Sequence, residues 1–398
     1  MPAHPSANTR LLFVTTTPAI IRNFLIPYAA HFRGLGWEVH AAARGATNEK
    51  ALQGAFDSVH ELPLSRSLRD PLAIVQGFSS LQALARSLRP DVVHVHSPIA
   101  GLVTRLALGR GSLTSRPAVA YTAHGFHAHP GGGRIANALY STMETVGGRW
   151  CDALVVINDE DEQRARAWRM VGRRRLVRMP GIGIDTAHYD PAAVPPGSAE
   201  AFRGAAGIPS DAPLVVMIAE LHQAKRPLDA IGALAALPRR DVHLALLGDG
   251  PLEGEMRQLV ARLGLDRRVH FCGFVDDVRP ALASATASLL TSEREGLPRA
   301  LMESLSMGIP VVSTAARGCA ELVGDAGFLV PVGDVAAIAG ALGRMDRSSP
   351  AWASMSAAGR PRMAAHYGLE RLVARHERLY EDLLLRKARA ARAASDER

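Results

Sequence analysis

Two α/β units, each built on a doubly wound parallel sheet, are what the sequence predicts. Short apolar runs alternate with helical stretches through the first half. The alternation stops at Pro180-Gly-Ile-Gly-Ile-Asp185 and restarts after residue 213. Such alternation is what parallel strands joined by crossover helices produce. At 398 residues the chain is long enough to bury two cores.

In the first half the predicted strands are 11–15, 38–42, 91–96, 118–123, 153–157 and 176–179, with helices over 20–34, 72–88 and 135–149. Residues 190–213 are rich in Pro, Ala, Gly and Ser, so a linker is expected over 181–212. Beyond it the strands are 214–219, 243–247, 269–272, 287–290, 310–313 and 327–330, and a last long helix runs from 369 to about 389. The expected domains are 1–183, 184–368 and a terminal helix with a basic tail, 369–398. In open sheets of this kind ligands bind beyond the carboxyl ends of the strands, so the informative motifs should fall there.

Composition narrows the function classes. Hydrophobic content of 47% with 21% charged residues describes a globular, water-soluble chain. No apolar run approaches the roughly 18 residues of a membrane span, and no secretory leader pattern opens the sequence. Cys151, Cys272 and Cys319 are isolated, with no metal spacing, which fits a reducing cytoplasm. The net charge of +8 allows nucleic acid, anionic lipid or phosphorylated small molecules as partners. Aromatic content of 5%, with no basic stripe interleaved with stacking residues, argues against nucleic acid. Arginines concentrate at 164, 166, 169, 173, 174, 175 and 178. They are either a solvated face or a patch for anionic lipid, with Arg173, Arg174 and Arg175 at its centre.

The most informative motif is Glu295-Gly-Leu-Pro-Arg-Ala-Leu-Met-Glu303. Pro298 suits a first helical position, placing Glu295 just before a helix and Glu303 in its second turn. The amides around Gly296 and Leu297 then form an anion-binding helix end between two carboxylates that can accept from hydroxyls. A sugar nucleotide has that layout: hydroxyls, a diphosphate, then a ribose diol.

The arrangement resembles the nucleotide-sugar site of family 4 glycosyltransferases of the GT-B fold, two Rossmann-like domains facing a central cleft. Tyr121-Thr-Ala-His-Gly-Phe-His127 is similar, more specifically, to the capsule, exopolysaccharide and O-antigen branch. The resemblance covers most of 10–385 and implies a retaining enzyme of the hexosyltransferase class. Its donor would be a UDP-hexose or UDP-N-acetylhexosamine and its acceptor a lipid-linked saccharide, at the inner face of the cell membrane and without cofactor or metal. It implies catalytic roles for His124, Glu295 and Lys225, with Lys225 holding the diphosphate together with Arg226. Glu303 would hold the ribose diol. Gly248 in Leu247-Gly-Asp-Gly-Pro-Leu252 would shape the site, while Gly273, Phe274 and Val275 would lie under the base. Thr17, an N-cap candidate, with Arg22 and Asn23, would lie on the acceptor side.

Several readings compete. The family commonly has Arg where Glu220 stands, which moves the phosphate load to Lys225. Phe274 could equally be core, and His124, His127 and His129 could suggest a metal, though no carboxylate is near in sequence. A GT-B fold UDP-sugar epimerase, or a non-catalytic nucleotide-sugar or lipid-surface binding protein, are the alternatives to transfer.

Overall fold

The computed structural model describes residues 9–65, 70–111, 115–127 and 133–396. Met1–Ile182 together with Leu372–Arg398 make one unit, and Gly183–Arg371 make the other. The first carries β1 (Arg10–Val14), β2 (Glu38–Ala43), β3 (Ser58–Glu61), β4 (Val92–His96), β5 (Ala118–Ala123), β6 (Ala153–Val156) and β7 (Leu176–Arg178). All pair in parallel, in the order β3-β2-β1-β4-β5-β6-β7. The second carries β8 (Leu214–Ile218), β9 (His243–Leu247), β10 (Val269–Gly273), β11 (Ala287–Leu290), β12 (Val311–Thr314) and β13 (Gly327–Val330). Its order is β10-β9-β8-β11-β12-β13, again all parallel.

Burial explains why these strands read as unbroken apolar runs. Along β8, Leu214 and Val216 enter one core layer while Val215 and Met217 enter the layer on the opposite face. A sheet covered on both faces needs no polar alternation. In each unit the strand order reverses direction once, between β1 and β4 and between β8 and β11. The crevice at such a reversal is where doubly wound sheets take ligands.

The structure departs from the sequence reading in four places. Strand β3 was not expected: Ser58-Val-His-Glu61 has no apolar run, and it lies half exposed at the sheet edge. The expected helix 20–34 is broken, with Ile21–Leu25 wound as a π-helix before Ile26–Gly34. Pro27 has no N–H to give the carbonyl of residue 23, so the ladder slips by one residue. The expected linker is no linker. Ile184, Tyr189 and Ile208 are buried in the core of the second unit, Ser198–Ala206 is helical, and only glycine fits at 183, where a Cβ would lie 2.7 Å from Leu369 Cα. Finally, the last helix extends over Leu369–Asp396. Its buried Leu372, Val373, His376, Leu379, Tyr380 and Leu383 recur at helical spacing, and Tyr380 packs against Phe32 and Trp37 of the first unit.

Candidate active site

In the second unit the loops after β8 and β11 meet at the reversal point. After β8 the chain makes a short turn of 3₁₀-helix, Gln223–Lys225, and Arg226 follows with φ 49°. The loop after β11 is stitched to it: Thr291 Oγ1 donates to the carbonyls of Lys225 (2.8 Å) and Arg226 (2.9 Å), and the Glu293 amide to that of Ala224 (2.9 Å). Between these backbone bonds, Lys225 Nζ donates to Glu295 Oε1 at 2.5 Å, and Ser292 Oγ donates to the same oxygen at 2.6 Å. Glu295 is about one-tenth exposed and Lys225 about a quarter. A partly buried, charge-assisted pair of this kind fixes both side chains at once. Two residues expected to act separately are therefore one coupled element.

Around the pair, backbone geometry demands glycine. A Cβ on Gly248 would lie 2.1 Å from the Ala219 carbonyl oxygen, and one on Gly318 would lie 2.0 Å from that of Gly296. The Gly248 amide donates to the carbonyl of Gly273, which ends β10. Past it, Phe274 is 69% exposed, so the core reading of that ring is wrong, while Val275 packs into the core. Asp277 is tied to Arg279 (2.7 Å), whose hydrogen bonds hold the carboxyl below its usual range. Arg226 pairs with Asp229 at 2.6 Å. Glu220 points outward, 72% exposed, with His222 at 4.0 Å.

The helix carrying Glu303 is Arg299–Ser306, so Pro298 is its N-cap rather than its first helical residue; its φ of −69° and ψ of 118° are extended. Leu301 and Leu305 point into the core. Glu303 accepts from Tyr189 OH (2.8 Å) and Arg299 Nε (2.7 Å), both at Oε1. Burial pushes its carboxyl above the ordinary value, against the pull of Arg299. Sequence reasoning missed Tyr189 because it lies in the stretch read as linker.

In the first unit His124 follows β5. Its Nε2 lies 2.9 Å from Nδ1 of His96, which ends β4, and the two rings stack. Burial, with a smaller contribution from His376, pushes His124 down to about 4, so it is neutral at pH 7. The chain of rings continues inward. His94 lies against His96 at 4.3 Å between centroids, bonds Thr122 Oγ1 at 2.7 Å, and reaches Tyr380 OH. His94 and His96 were also missed; their i, i+2 spacing on a strand was the available signal, since it puts both on one face.

The expected acceptor-side residues follow β1. Thr17 is the N-cap, yet its side chain makes no cap bond; instead its carbonyl accepts from Thr15 Oγ1. Arg22 and Asn23 are exposed in the π-helical segment, with Arg22 bonded to Asn23 (3.2 Å). Thr16 is joined to Ser97, past β4, by a hydroxyl bond of 3.3 Å. Ser97 has φ 78° and ψ 146°, a strained conformation of the kind that concentrates at functional sites. The His127 ring lies 4.9 Å from that of Tyr140, tilted by 38°, and His129 lies outside the described residues. Of the arginine patch, Arg175 is committed to the carbonyls of Cys151 (2.8 Å) and Gly148, so it is not free for a lipid, whereas Arg173 and Arg174 are exposed. No helix among the described residues is long and apolar enough to cross a membrane.

Two doubly wound sheets, with a cation–carboxylate pair at the reversal point of one and a histidine at a strand end of the other, define a GT-B glycosyltransferase. Residues 26–181 match the glycosyl transferase 4-like domain, and residues 212–346 match glycosyl transferases group 1. The chain belongs to this family, the family 4 glycosyltransferases. It is 32% identical over 334 residues to the EpsD protein of Bacillus subtilis (strain 168), which carries a glycosyltransferase name; the match covers 83% of this chain and 85% of that one. An Escherichia coli UDP-Gal:alpha-D-GlcNAc-diphosphoundecaprenol alpha-1,3-galactosyltransferase is 24% identical over 69% of this chain and 72% of its own length. Among solved structures, Anabaena Alr3699/HepE in complex with UDP and glucose superposes with a TM-score of 0.76 at 20% identity, over 94% of this chain and 100% of that one.

Proposed function

We propose that this glycosyltransferase is a retaining enzyme that moves a hexose or N-acetylhexosamine from a UDP-sugar to a lipid-linked saccharide in surface polysaccharide assembly. The observation that carries the reading is the Lys225–Glu295 pair, held between two stitched loops beside the helix end at Gly296. In this scheme Lys225, Arg226 and the amides near Gly296 and Leu297 take the diphosphate, and Glu295 orients the sugar. The bond from the anomeric carbon to the β-phosphate oxygen breaks as the acceptor hydroxyl attacks the same face. Lys225 stabilises the negative charge that appears on the leaving group. The acceptor proton passes to that departing phosphate, so no protein base is required. His124, neutral at pH 7, donates or accepts a hydrogen bond at the sugar without adding charge.

Glu303 takes the ribose diol, pre-oriented by Tyr189 and Arg299. Uridine is favoured by the E. coli galactosyltransferase, whose name gives UDP-Gal as its donor. Lipid linkage of the acceptor draws support from the E. coli galactosyltransferase, whose named substrate is a diphosphoundecaprenol. Exposed Arg173 and Arg174 are the residues for the membrane surface. Incubation with a UDP-sugar, with and without an undecaprenyl-diphosphate saccharide, tests the reading. UDP release only with acceptor supports it; conversion of the sugar without acceptor makes the protein an epimerase, and no release in either arm makes it a binding protein.

A further inference from the structure

At the amino ends of β4 and β5, the opposite end of the sheet from His96 and His124, the first unit has an open pocket of about 750 Å³. Cations from four chain segments line it. Arg86 and Arg89 come from the end of the helix Pro71–Leu88, Arg110 follows the helix Pro98–Leu108, Arg116 precedes β5, and Lys387 comes from the last helix. Arg89 is the C-cap of that helix, with φ 51°. Arg110 Cζ lies over the Trp150 ring, 4.6 Å from its centroid, a cation–π contact that holds the guanidinium at the pocket.

The local charges do not cancel. Asp152 neutralises Arg116 (2.6 Å), and Asp91 faces Lys387 (3.6 Å). The two helix C-termini bring about half a negative charge each. An excess of about two positive charges remains, which equals the charge of one phosphomonoester at neutral pH, roughly −1.5 to −2. Arginine forks suit phosphate oxygens in particular, and the volume is within the usual range for a small-molecule site. We propose that this pocket is a second anion site of the protein, built for a phosphomonoester group. The group could arrive on a soluble phosphorylated molecule or as a lipid headgroup.

The test uses the full chain carrying Lys225→Ala, which removes the main cation of the proposed donor site. Into it are placed Arg86→Gln/Arg89→Gln/Arg110→Gln and, as a control for net charge alone, Arg240→Gln/Arg262→Gln/Arg267→Gln on exposed positions of the second unit. Binding of inorganic phosphate is read by calorimetry, and binding to vesicles of equal parts phosphatidic acid and phosphatidylcholine by sedimentation. The pocket variant should bind at least one probe about tenfold more weakly, a loss of about 1.4 kcal/mol, with the control within about twofold of its parent. Loss for phosphate alone assigns a soluble ligand; loss for vesicles, with or without loss for phosphate, assigns a headgroup. Equal weakening in the control, or no binding of either probe by the parent, overturns the proposal.

Discussion

The two reversal points are alike in plan and opposite in chemistry. In the second unit the crossing loops are joined by an ion pair, Lys225–Glu295; in the first they are joined by neutral hydroxyls, Thr16 and Ser97, beside a run of histidines that burial keeps uncharged. One end is set up to meet charge and the other to exclude it. Under the proposed function, the charged loops of the second unit would meet the nucleotide diphosphate and the uncharged loops of the first a neutral hydroxyl. The fold is shared, so the difference in charge resides in a few loop residues.

The largest effect expected is at the charged end. Lys225→Ala should lower kcat by about 10²–10³, the cost of removing one preorganised stabiliser of leaving-group charge, while leaving Glu295 without its cation and held by Ser292. Removing the hydroxyl of Ser97 or Thr16 should not matter on that scale. A steady-state assay showing less than tenfold loss would put the phosphate load elsewhere.

Acid should weaken both units, the first more than the second, where the raised Glu303 partly offsets the lowered Asp277, His243 and His270. His376, pushed down to about 4 by burial, binds its proton more readily once unfolded. Its contribution is whole above pH 6.5 and is lost as pH falls from there to about 4, with a slope approaching 1.4 kcal/mol per pH unit for each such histidine. His94 and His96 add in the same direction. Glu303, raised by burial, works the other way and favours the folded second unit slightly as pH falls. Unfolding followed separately by hydrogen exchange in β4 and in β11 should show the first unit weakening first. Equal loss in both would contradict the contrast.

A smaller effect belongs to the Tyr189–Glu303 bond. Tyr189→Phe should weaken UDP binding by about 1 kcal/mol, the usual worth of one hydrogen bond, and leave kcat at saturating donor unchanged. A titration indistinguishable from the unmodified protein would detach Glu303 from the ribose. Smallest of all, Ser97→Gly should relieve a backbone cost of about 1–3 kcal/mol while adding roughly 1 kcal/mol of chain entropy to the unfolded state. Because the Ser97–Thr16 hydroxyl bond is lost as well, at about 1 kcal/mol, the expected result is a Tm close to that of the unmodified protein with donor affinity intact.

What could be read from the sequence follows the same divide. Buried strands such as β9 and β5 announce themselves as apolar runs, and the Glu295 motif places its own helix because Leu301, Met302 and Leu305 recur at helical spacing after Pro298. Strand β3 is invisible because an edge strand needs only backbone partners. The Tyr189–Glu303 bond is invisible for another reason: it joins residues far apart in sequence through a segment whose Pro and Gly content mimics a linker. Arg175 was read as part of a lipid patch because composition counts charges, and a count cannot show that a guanidinium is spent on two carbonyls.

The last helix sets a timetable for synthesis. Leu372–Arg398 belong to the same unit as Met1–Ile182, and Tyr380, Leu383 and His376 fill its interior against Tyr28, Phe32 and Trp37. A ribosome adding about 5–20 residues per second needs roughly 10–40 s to travel from the end of β7 to that helix. Through that interval the nascent first unit holds an open apolar flank, while the second, contiguous unit completes its own core first. The part of the protein made earliest is thus the part finished last, and a stop codon only a few dozen residues early would leave it permanently unsealed.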